Sequence, residues 1–370
     1  MRAPAQIGQR LAEVDTPALV LELDAFEKNL RTLADAVRGR SVRVRTHAKT
    51  HKCPEVAKRQ MALGAIGACC QKVSEAEAMV EGGVGDVLVT NEVVGEAKLD
   101  RLAQLARRAK LGVCVDDAAG VKALSAAAGR AGVELDVYVE IDVGMGRCGV
   151  APGEPALALA RGVAFARHLR FAGLQAYQGR AQHVRSIAER RALVQRAADG
   201  VRHTRALLDR NGIPCPIVTG AGSGTFMLEV ETGAWDEIQP GSYAFMDVDY
   251  AKNEQGAPLP RFEQALFVLA TVMSRPVPGR AVVDAGLKAS SVDSGMPGVW
   301  QRPGVEYVRA SDEHGVLEIG PGAAAPALGE KMMLVPGHCD PTINLHDWYV
   351  GVRGGVVEAL WPITARGALS

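Results

Sequence analysis

The chain reads as an α/β protein: a (β/α)8 TIM-type barrel followed by a C-terminal all-β domain. Two patterns predict this. Between about residues 40 and 250, eight short apolar strand candidates alternate with helical stretches, which implies parallel βα units in the number that closes a barrel. After Tyr250 the helical repeats stop, and short strands separated by Gly and Pro take over. An open doubly wound sheet ranks second, because no GxGxxG follows the first strand. The expected domains are residues 24–250 for the barrel, and residues 1–23 with 251–370 for the β-domain.

The barrel strands are expected at 42–47, 67–71, 86–91, 111–116, 135–142, 171–177 and 217–222, with a last one near 235–245. Helical patterns at 54–63, 74–80, 97–109, 118–131, 155–168 and 187–210 lie between them. Ser74-Glu75-Ala76-Glu77 has the form of a capping box and predicts a helix start. In the β-domain, strands are expected at 265–273, 280–284, 305–309, 332–335, 348–353 and 356–361. Arg353-Gly354-Gly355-Val356 reads as a tight hairpin turn. An early strand at 18–23 either joins this domain or leads into the barrel.

Composition excludes several classes of function. Lys+Arg and Asp+Glu are both 42 in 370 residues, so net charge points to neither nucleic acid nor a membrane surface. No apolar run reaches the ~18 residues of a membrane span, and the N-terminus lacks a basic-then-apolar signal pattern. The seven cysteines (Cys53, Cys69, Cys70, Cys114, Cys148, Cys215 and Cys339) include no CxxC pair, which suits buried thiols in a reducing cytoplasm.

The chemistry concentrates at strand ends. In Ser41-Val42-Arg43-Val44-Arg45, the valines take one face, while Arg43, Arg45, His47 and Lys49 share the other parity. The outer face of a parallel barrel packs on helices, so the polar parity points inward and Lys49 falls at the strand's carboxyl end, where barrels place their active sites. A lysine among other cations that disfavour its protonated form suits Schiff-base chemistry. Gln71, Asn91, Glu92, Asp116, Arg147 and Tyr177 also fall at or beyond strand ends, with His183 in the loop after Tyr177, and together they form a rim. Gly220-Ala221-Gly222-Ser223-Gly224-Thr225 follows the seventh strand, and Gly241-Ser242-Tyr243 the eighth. Barrels bind phosphate at these two loops, and backbone N–H groups and hydroxyls here supply the donors. In Pro336-Gly337-His338-Cys339-Asp340-Pro341-Thr342, an extended backbone would set His338 and Asp340 on one face with Cys339 turned away. One imidazole and one carboxylate suit Mn²⁺ or Mg²⁺ better than structural zinc, while a hydrogen-bonded His–Asp pair is the competing reading. His346-Asp347 is a weaker pair of the same kind. Asp312-Glu313-His314 is a further acidic cluster that could face the cleft.

Taken together, these motifs resemble the D-threonine aldolases and D-3-hydroxyaspartate aldolases of the alanine-racemase-like, fold type III pyridoxal-phosphate enzymes. The resemblance runs from Asp15-Thr16-Pro17 to Thr364-Ala365-Arg366-Gly367. It is sharpest at His47-Ala48-Lys49-Thr50-His51-Lys52, Cys69-Cys70-Gln71-Lys72-Val73-Ser74-Glu75, Gly146-Arg147-Cys148-Gly149-Val150, Gly241-Ser242-Tyr243-Ala244-Phe245-Met246-Asp247, Asp312-Glu313-His314-Gly315 and the His338–Asp340 segment. It implies that Lys49 is the Schiff-base lysine and that Arg147 approaches the pyridine nitrogen of pyridoxal 5'-phosphate. Gln71 and Tyr177 would also touch the cofactor. Gly222, Ser223, Gly224, Thr225, Gly241, Ser242 and Tyr243 would bind its phosphate. Ala221 and Ser223 stand where the family's usual run reads Gly and Thr. His338 and Asp340 would hold a divalent metal, and His183 would move the substrate hydroxyl's proton. The implied reaction is retro-aldol cleavage of a D-3-hydroxy amino acid to glycine and an aldehyde by a homodimer. Related dehydratases carry His-x-Cys as a zinc pair where this chain has His338-Cys339-Asp340, which favours the aldolase. A D-3-hydroxy amino acid dehydratase of the D-serine dehydratase kind, a racemase on the same scaffold and a non-enzymatic pyridoxal-phosphate carrier are the alternatives. The β-domain motif argues against the carrier.

Overall fold

The computed structural model describes residues 2–370. After the strand β1 (Ala18–Glu22) and the helix Leu23–Val37, the chain enters the barrel through a strand in two pieces, β2 (Arg43–Val44) and β3 (Thr46–His47). Next come β4 (Ala68–Cys70), β5 (Asp86–Glu92), β6 (Lys110–Val115), β7 (Leu135–Glu140), β8 (Leu169–Ala176), β9 (Val218–Gly220) and β10 (Glu237–Ile238). Every pairing is parallel. β2 bonds to β10 and β3 to β4, so the two halves of the first strand close an eight-stranded ring. The helices Ala118–Ala131 and Ile187–Arg210 have the bounds expected from their periodicity.

Period-2 alternation sorts the strand side chains. Val87 and Val89 pack outward with Leu102, Leu124 and Ala128 of the surrounding helices. Leu88 points inward to meet Cys69, Cys114, Tyr138 and Ala172. Arg45 is also interior, 2.9 Å from Glu237 and 2.6 Å from Asp86. This buried ion network fills the barrel below the site and leaves the upper strand ends to line a cavity.

The second domain is built on β11 (Leu266–Val277), β12 (Arg280–Val283), β13 (Gly298–Val299), β14 (Val305–Ala310), β15 (Gly315–Ile319), β16 (Lys331–Val335), β17 (Trp348–Arg353) and β18 (Val356–Pro362). The main strand order is β14-β15-β12-β11-β1-β17-β18, with β16 also pairing to β11 and β13 to β16. β1 joins this sheet, antiparallel to β11 and parallel to β17. Gly354 and Gly355, at φ 57° and 78°, form the tight turn between β17 and β18, the two positive φ values that a type I′ hairpin demands. An apolar layer fastens the sheet to the barrel: Phe245 stacks on Phe26 and Tyr349 at centroid distances of 6.0 and 5.8 Å.

Two local expectations change. The helix after β4 starts at Val73, not after Ser74. Glu75 accepts the Gln71 and Lys72 N–H groups at 2.8 and 3.3 Å, so it closes the helix start that was read into Ser74-Glu75-Ala76-Glu77. The eighth barrel strand is only Glu237–Ile238, because the chain beyond it turns through Gly241 into a short 3-10 helix, Ser242–Ala244. All seven cysteines are unpaired. Among the described residues, no helix is long and apolar enough to cross a membrane.

Candidate active site

A cavity of about 450 Å³ opens at the carboxyl ends of the barrel strands, under the edge of the β-domain. It brings together Lys49, Gln71, Arg147, Tyr177, His183, Gly222, Ser223, Gly241, Ser242, His338 and Asp340 from the residues singled out in the sequence. Nine stretches of chain contribute, from both domains.

Lys49 sits in the single helical turn Ala48–His51 that β3 runs into. Its Nζ donates to Asp340 Oδ2 at 2.7 Å. Burial works against the charged amine, but the Asp340 carboxylate outweighs it and holds Lys49 above the usual lysine range. The expectation of a lysine depressed by neighbouring cations therefore fails in this state: its nearest charged partner is an anion. Burial alone would raise the Asp340 carboxyl, yet Lys49 and His338 hold it below the usual carboxylate range. Lys52, the neighbouring candidate, is buried elsewhere and donates to Glu75 at 2.6 Å. His47 floors the cavity. Burial, then the Lys49 charge, lower its pKa well below that of a free imidazole, so it stays neutral. Gln71 Nε2 lies 3.0 Å from His47 Nε2 and donates to Thr90 Oγ1 at 3.1 Å. On the opposite wall the Arg147 guanidinium lies 5.8 Å from the Tyr177 ring centroid.

The phosphate-loop expectation narrows. The N–H groups of Gly222, Ser223 and Ser242 make no hydrogen bond within the described residues, and all three residues line the cavity. Ser223 Oγ accepts the N–H groups of Gly241 (3.2 Å) and Tyr243 (3.0 Å), which ties the two loops together and leaves its one proton to donate. Gly224 and Thr225 are placed away from the cavity. Gly224 N–H donates to Gln182 Oε1 at 2.8 Å, and the Thr225 hydroxyl is held between Gln182 Nε2 and Glu229 Oε1, at 2.7 Å from each. The Tyr243 ring also turns away, packing on Phe262 with its hydroxyl 3.2 Å from Gln60 Nε2. Its apolar body belongs to the layer between the domains.

His338 has extended backbone, but Asp340 lies in the short helix Cys339–Ile343, so their shared face arises from a helix start rather than from a strand. Cys339 does point away and is fully buried. His338 Nδ1 lies 2.8 Å from Asp293 Oδ2. That pairing through Nδ1 leaves Nε2 as the nitrogen free to face the cavity, the arrangement by which a carboxylate orients a metal-binding imidazole. His183 Nδ1 lies 2.6 Å from Asp249 Oδ2.

Other rim candidates do not line the cavity. Asn91 Nδ2 donates to the Gln71 carbonyl at 2.9 Å. Glu92 and Asp116 cluster with Cys148. His346 Nε2 pairs with the Ala289 carbonyl oxygen at 2.8 Å. Asp312, Glu313 and His314 are exposed in the turn between β14 and β15, where Glu313 accepts from Lys288 at 2.6 Å. Conversely, His47, Thr90, Gln239 and Tyr250 line the cavity without having been singled out as site residues. The inward parity of His47 was the available signal. Asp249 and Asp293 act from distant chain positions and gave none.

Both cofactor sites pass a test of fit. A Cβ on Gly241 would lie 2.5 Å from Thr50 Oγ1, and one on Gly222 2.6 Å from Gln182 Oε1, so both backbones come closer to their supports than any side chain allows. The unpaired N–H groups of Gly222, Ser223 and Ser242, with a lysine amine in the same cavity, match a phosphorylated aldehyde. A lone-pair nitrogen and a carboxylate match a divalent ion with hard-donor preference.

Fold and site thus define an enzyme of the pyridoxal-phosphate barrel class. Residues 21–249 match the family model described as alanine racemase, N-terminal domain, and the chain belongs to that family; residues 265–352 match a serine dehydratase domain model. A D-threonine aldolase of Arthrobacter sp is 51% identical over 98% of this chain and 96% of that protein. A 3-hydroxy-D-aspartate aldolase of Paracoccus denitrificans (strain Pd 1222) is 49% identical over 98% and 95%. The crystal structure of D-threonine aldolase from Filomicrobium marinum superposes with a TM-score of 0.98 at 56% identity, covering 100% of both chains.

Proposed function

We propose that the protein cleaves D-3-hydroxy amino acids of the D-threonine or D-3-hydroxyaspartate type to glycine and an aldehyde, using pyridoxal 5'-phosphate and a divalent ion, Mn²⁺ or Mg²⁺. The observation that carries this reading is the meeting of Lys49 and Asp340 in one cavity. A barrel lysine and a β-domain carboxylate next to a histidine bring amine and metal chemistry to the same small substrate. Relatives of about half identity along the whole length carry aldolase names.

When bound, pyridoxal phosphate supplies an electron sink for the pair left on Cα, and the divalent ion supplies positive charge beside the 3-hydroxyl. Lys49 is the residue to hold the cofactor. Gly222, Ser223 and Ser242 would hold its phosphate, and Arg147 and Tyr177 would flank it. Arg147, the cation on that wall, does not give up a proton, so a ring held beside it would be a weaker sink and activation at the hydroxyl would matter more. His338 and Asp340 would hold the divalent ion, with Asp293 orienting His338. His183 takes the hydroxyl proton, directly or through water. The same reading makes the protein a cytoplasmic homodimer, on its unpaired cysteines for the compartment and on the resemblance for the assembly.

Purified protein assayed with D-threonine and D-3-hydroxyaspartate should release glycine from at least one. EDTA should abolish release and Mn²⁺ should restore it. Full activity after chelation and in Asp340→Ala would overturn the metal's role and leave a metal-free lyase or racemase as the better description.

A further inference from the structure

His183 carries the site's proton-moving role in the reading above, and its ring can serve as a base only through a nitrogen with a free lone pair. Its Nδ1 is already engaged, 2.6 Å from Asp249 Oδ2. The second carboxylate oxygen of Asp249 is taken by the guanidinium of Arg185, which also donates to the Asp249 carbonyl at 2.8 Å and to Asn253 Oδ1 at 2.7 Å. The Asp249 side chain is 7% exposed, the His183 side chain 52%. One group is thus a fixed support, and the other reaches into the cavity.

We propose that Asp249 is a positioning residue that locks His183 with Nδ1 protonated and presents the unprotonated Nε2 to the substrate hydroxyl. This rests on the assignment of His183 above. Chemistry leaves one arrangement. Burial would favour a neutral Asp249, but Arg185 and His183 hold it ionised, below the usual carboxylate range. An ionised carboxylate only accepts, so the facing ring nitrogen must carry the hydrogen. The support is itself anchored. Asp249 belongs to the short helix Val248–Ala251, whose preceding residue Asp247 accepts the Tyr250 N–H at 2.8 Å and the Cys339 N–H at 2.9 Å. The N–H groups of Val248 and Asp249 donate to the carbonyls of Pro336 and Gly337 at 3.0 and 3.3 Å. One segment therefore sets both the His183 ring and the loop that presents His338, and fixes the distance between base and metal ligand.

The test reads the ring directly. Histidine-selective ¹⁵N NMR of the full-length protein, with His183→Gln used to assign the signal, should show His183 as the Nδ1–H tautomer. In Asp249→Asn the single amide oxygen should stay with the Arg185 charge and turn the NH2 toward His183 Nδ1, so the tautomer should reverse to Nε2–H. In the same variant kcat should fall about 10²- to 10⁴-fold, with KM and the visible band of the lysine-bound cofactor unchanged. An Nε2–H tautomer in the unmodified protein overturns the proposal whatever the variants do. So does an Asp249→Asn protein that keeps both its tautomer and its kcat. If His183→Gln stays fully active while the tautomer still follows residue 249, the proton-moving role given to His183 falls and the positioning by Asp249 stands.

Discussion

Adding one methyl group at Gly222 should loosen the phosphate grip without removing any ligand atom. A Cβ built there lies 2.6 Å from Gln182 Oε1 and 2.7 Å from its Cδ. A glutamine on the surface would swing aside, but Gln182 is 0% exposed and bonded at both ends of its amide, to Gly224 N–H and to the Thr225 hydroxyl. Either Gln182 moves and abandons those two bonds, at about 1–3 kcal/mol for each buried group left unpaired, or the loop backs away from it. The first outcome lowers stability by about 2–6 kcal/mol. The second shifts the Gly222 and Ser223 N–H groups, and losing one charge-assisted bond of about 1.5–3 kcal/mol weakens cofactor binding roughly 10- to 100-fold. Absorbance titration of the apoprotein with pyridoxal phosphate, alongside urea unfolding of the same Gly222→Ala sample, separates the two. Gln182→Ala removes the obstructing atoms, so Gly222→Ala should cost much less in that background. A Gly222→Ala protein with unchanged titration and unchanged stability would refute the reasoning, as would additive effects in the double variant.

Borohydride reduction of the loaded protein should abolish its visible band and leave the cofactor on the peptide containing Lys49; mass spectrometry finding it on Lys52 would sink the assignment. Asp340→Ala should lose cleavage while keeping the visible band, and added Mn²⁺ should not rescue it. Asp340→Cys should shift metal preference toward zinc, read as a change in relative Mn²⁺ and Zn²⁺ affinity by calorimetry. Burial pushes the Glu229 carboxyl up to about 7, against the Thr225 hydroxyl that favours its charged form. Between the ordinary glutamate range and pH 7 the folded chain then holds a proton that the unfolded chain has released, so stability falls as pH rises through that window, by about 3 kcal/mol in all. Glu229→Gln should flatten this fall in urea unfolding at pH 5 and pH 8, and an unchanged slope would count against it.

Regular elements were the legible part of the chain, because a buried face forces a period. The helix Ala118–Ala131 places Val121, Leu124, Ala128 and Ala131 toward the strands, and that spacing is visible in one dimension. The helix Leu23–Val37 carries the same signal in Leu23, Phe26, Leu30 and Leu33, but β1 runs into it without a breaker to mark its start. Loop chemistry was only half legible. Composition marks Gly222, Ser223, Gly224 and Thr225 alike as phosphate donors, but which N–H groups stay unpaired depends on Gln182, some 40 residues earlier in the chain. Tyr243 illustrates a polar residue used for its apolar body. Asp249 and Asp293 were beyond reach for another reason: each meets its histidine across 66 and 45 residues, and no local spacing encodes such a pairing.

The position of β1 sets the order in which this molecule can be assembled. It is the first strand made, yet it ends up between β11 and β17, whose pairing residues follow roughly 250 and 330 positions later. On a ribosome, the whole barrel emerges while this apolar strand waits without either neighbour, an exposed edge of the kind that aggregates. The helix Leu23–Val37, through Phe26 and its stack with Phe245, offers β1 its first shelter once the barrel's last turns are made. Lys49 and Asp340 are likewise brought together only when the β-domain docks. A nascent chain can thus close its barrel, with the loops of Gly222 and Ser242 made, long before its two-domain cavity is complete.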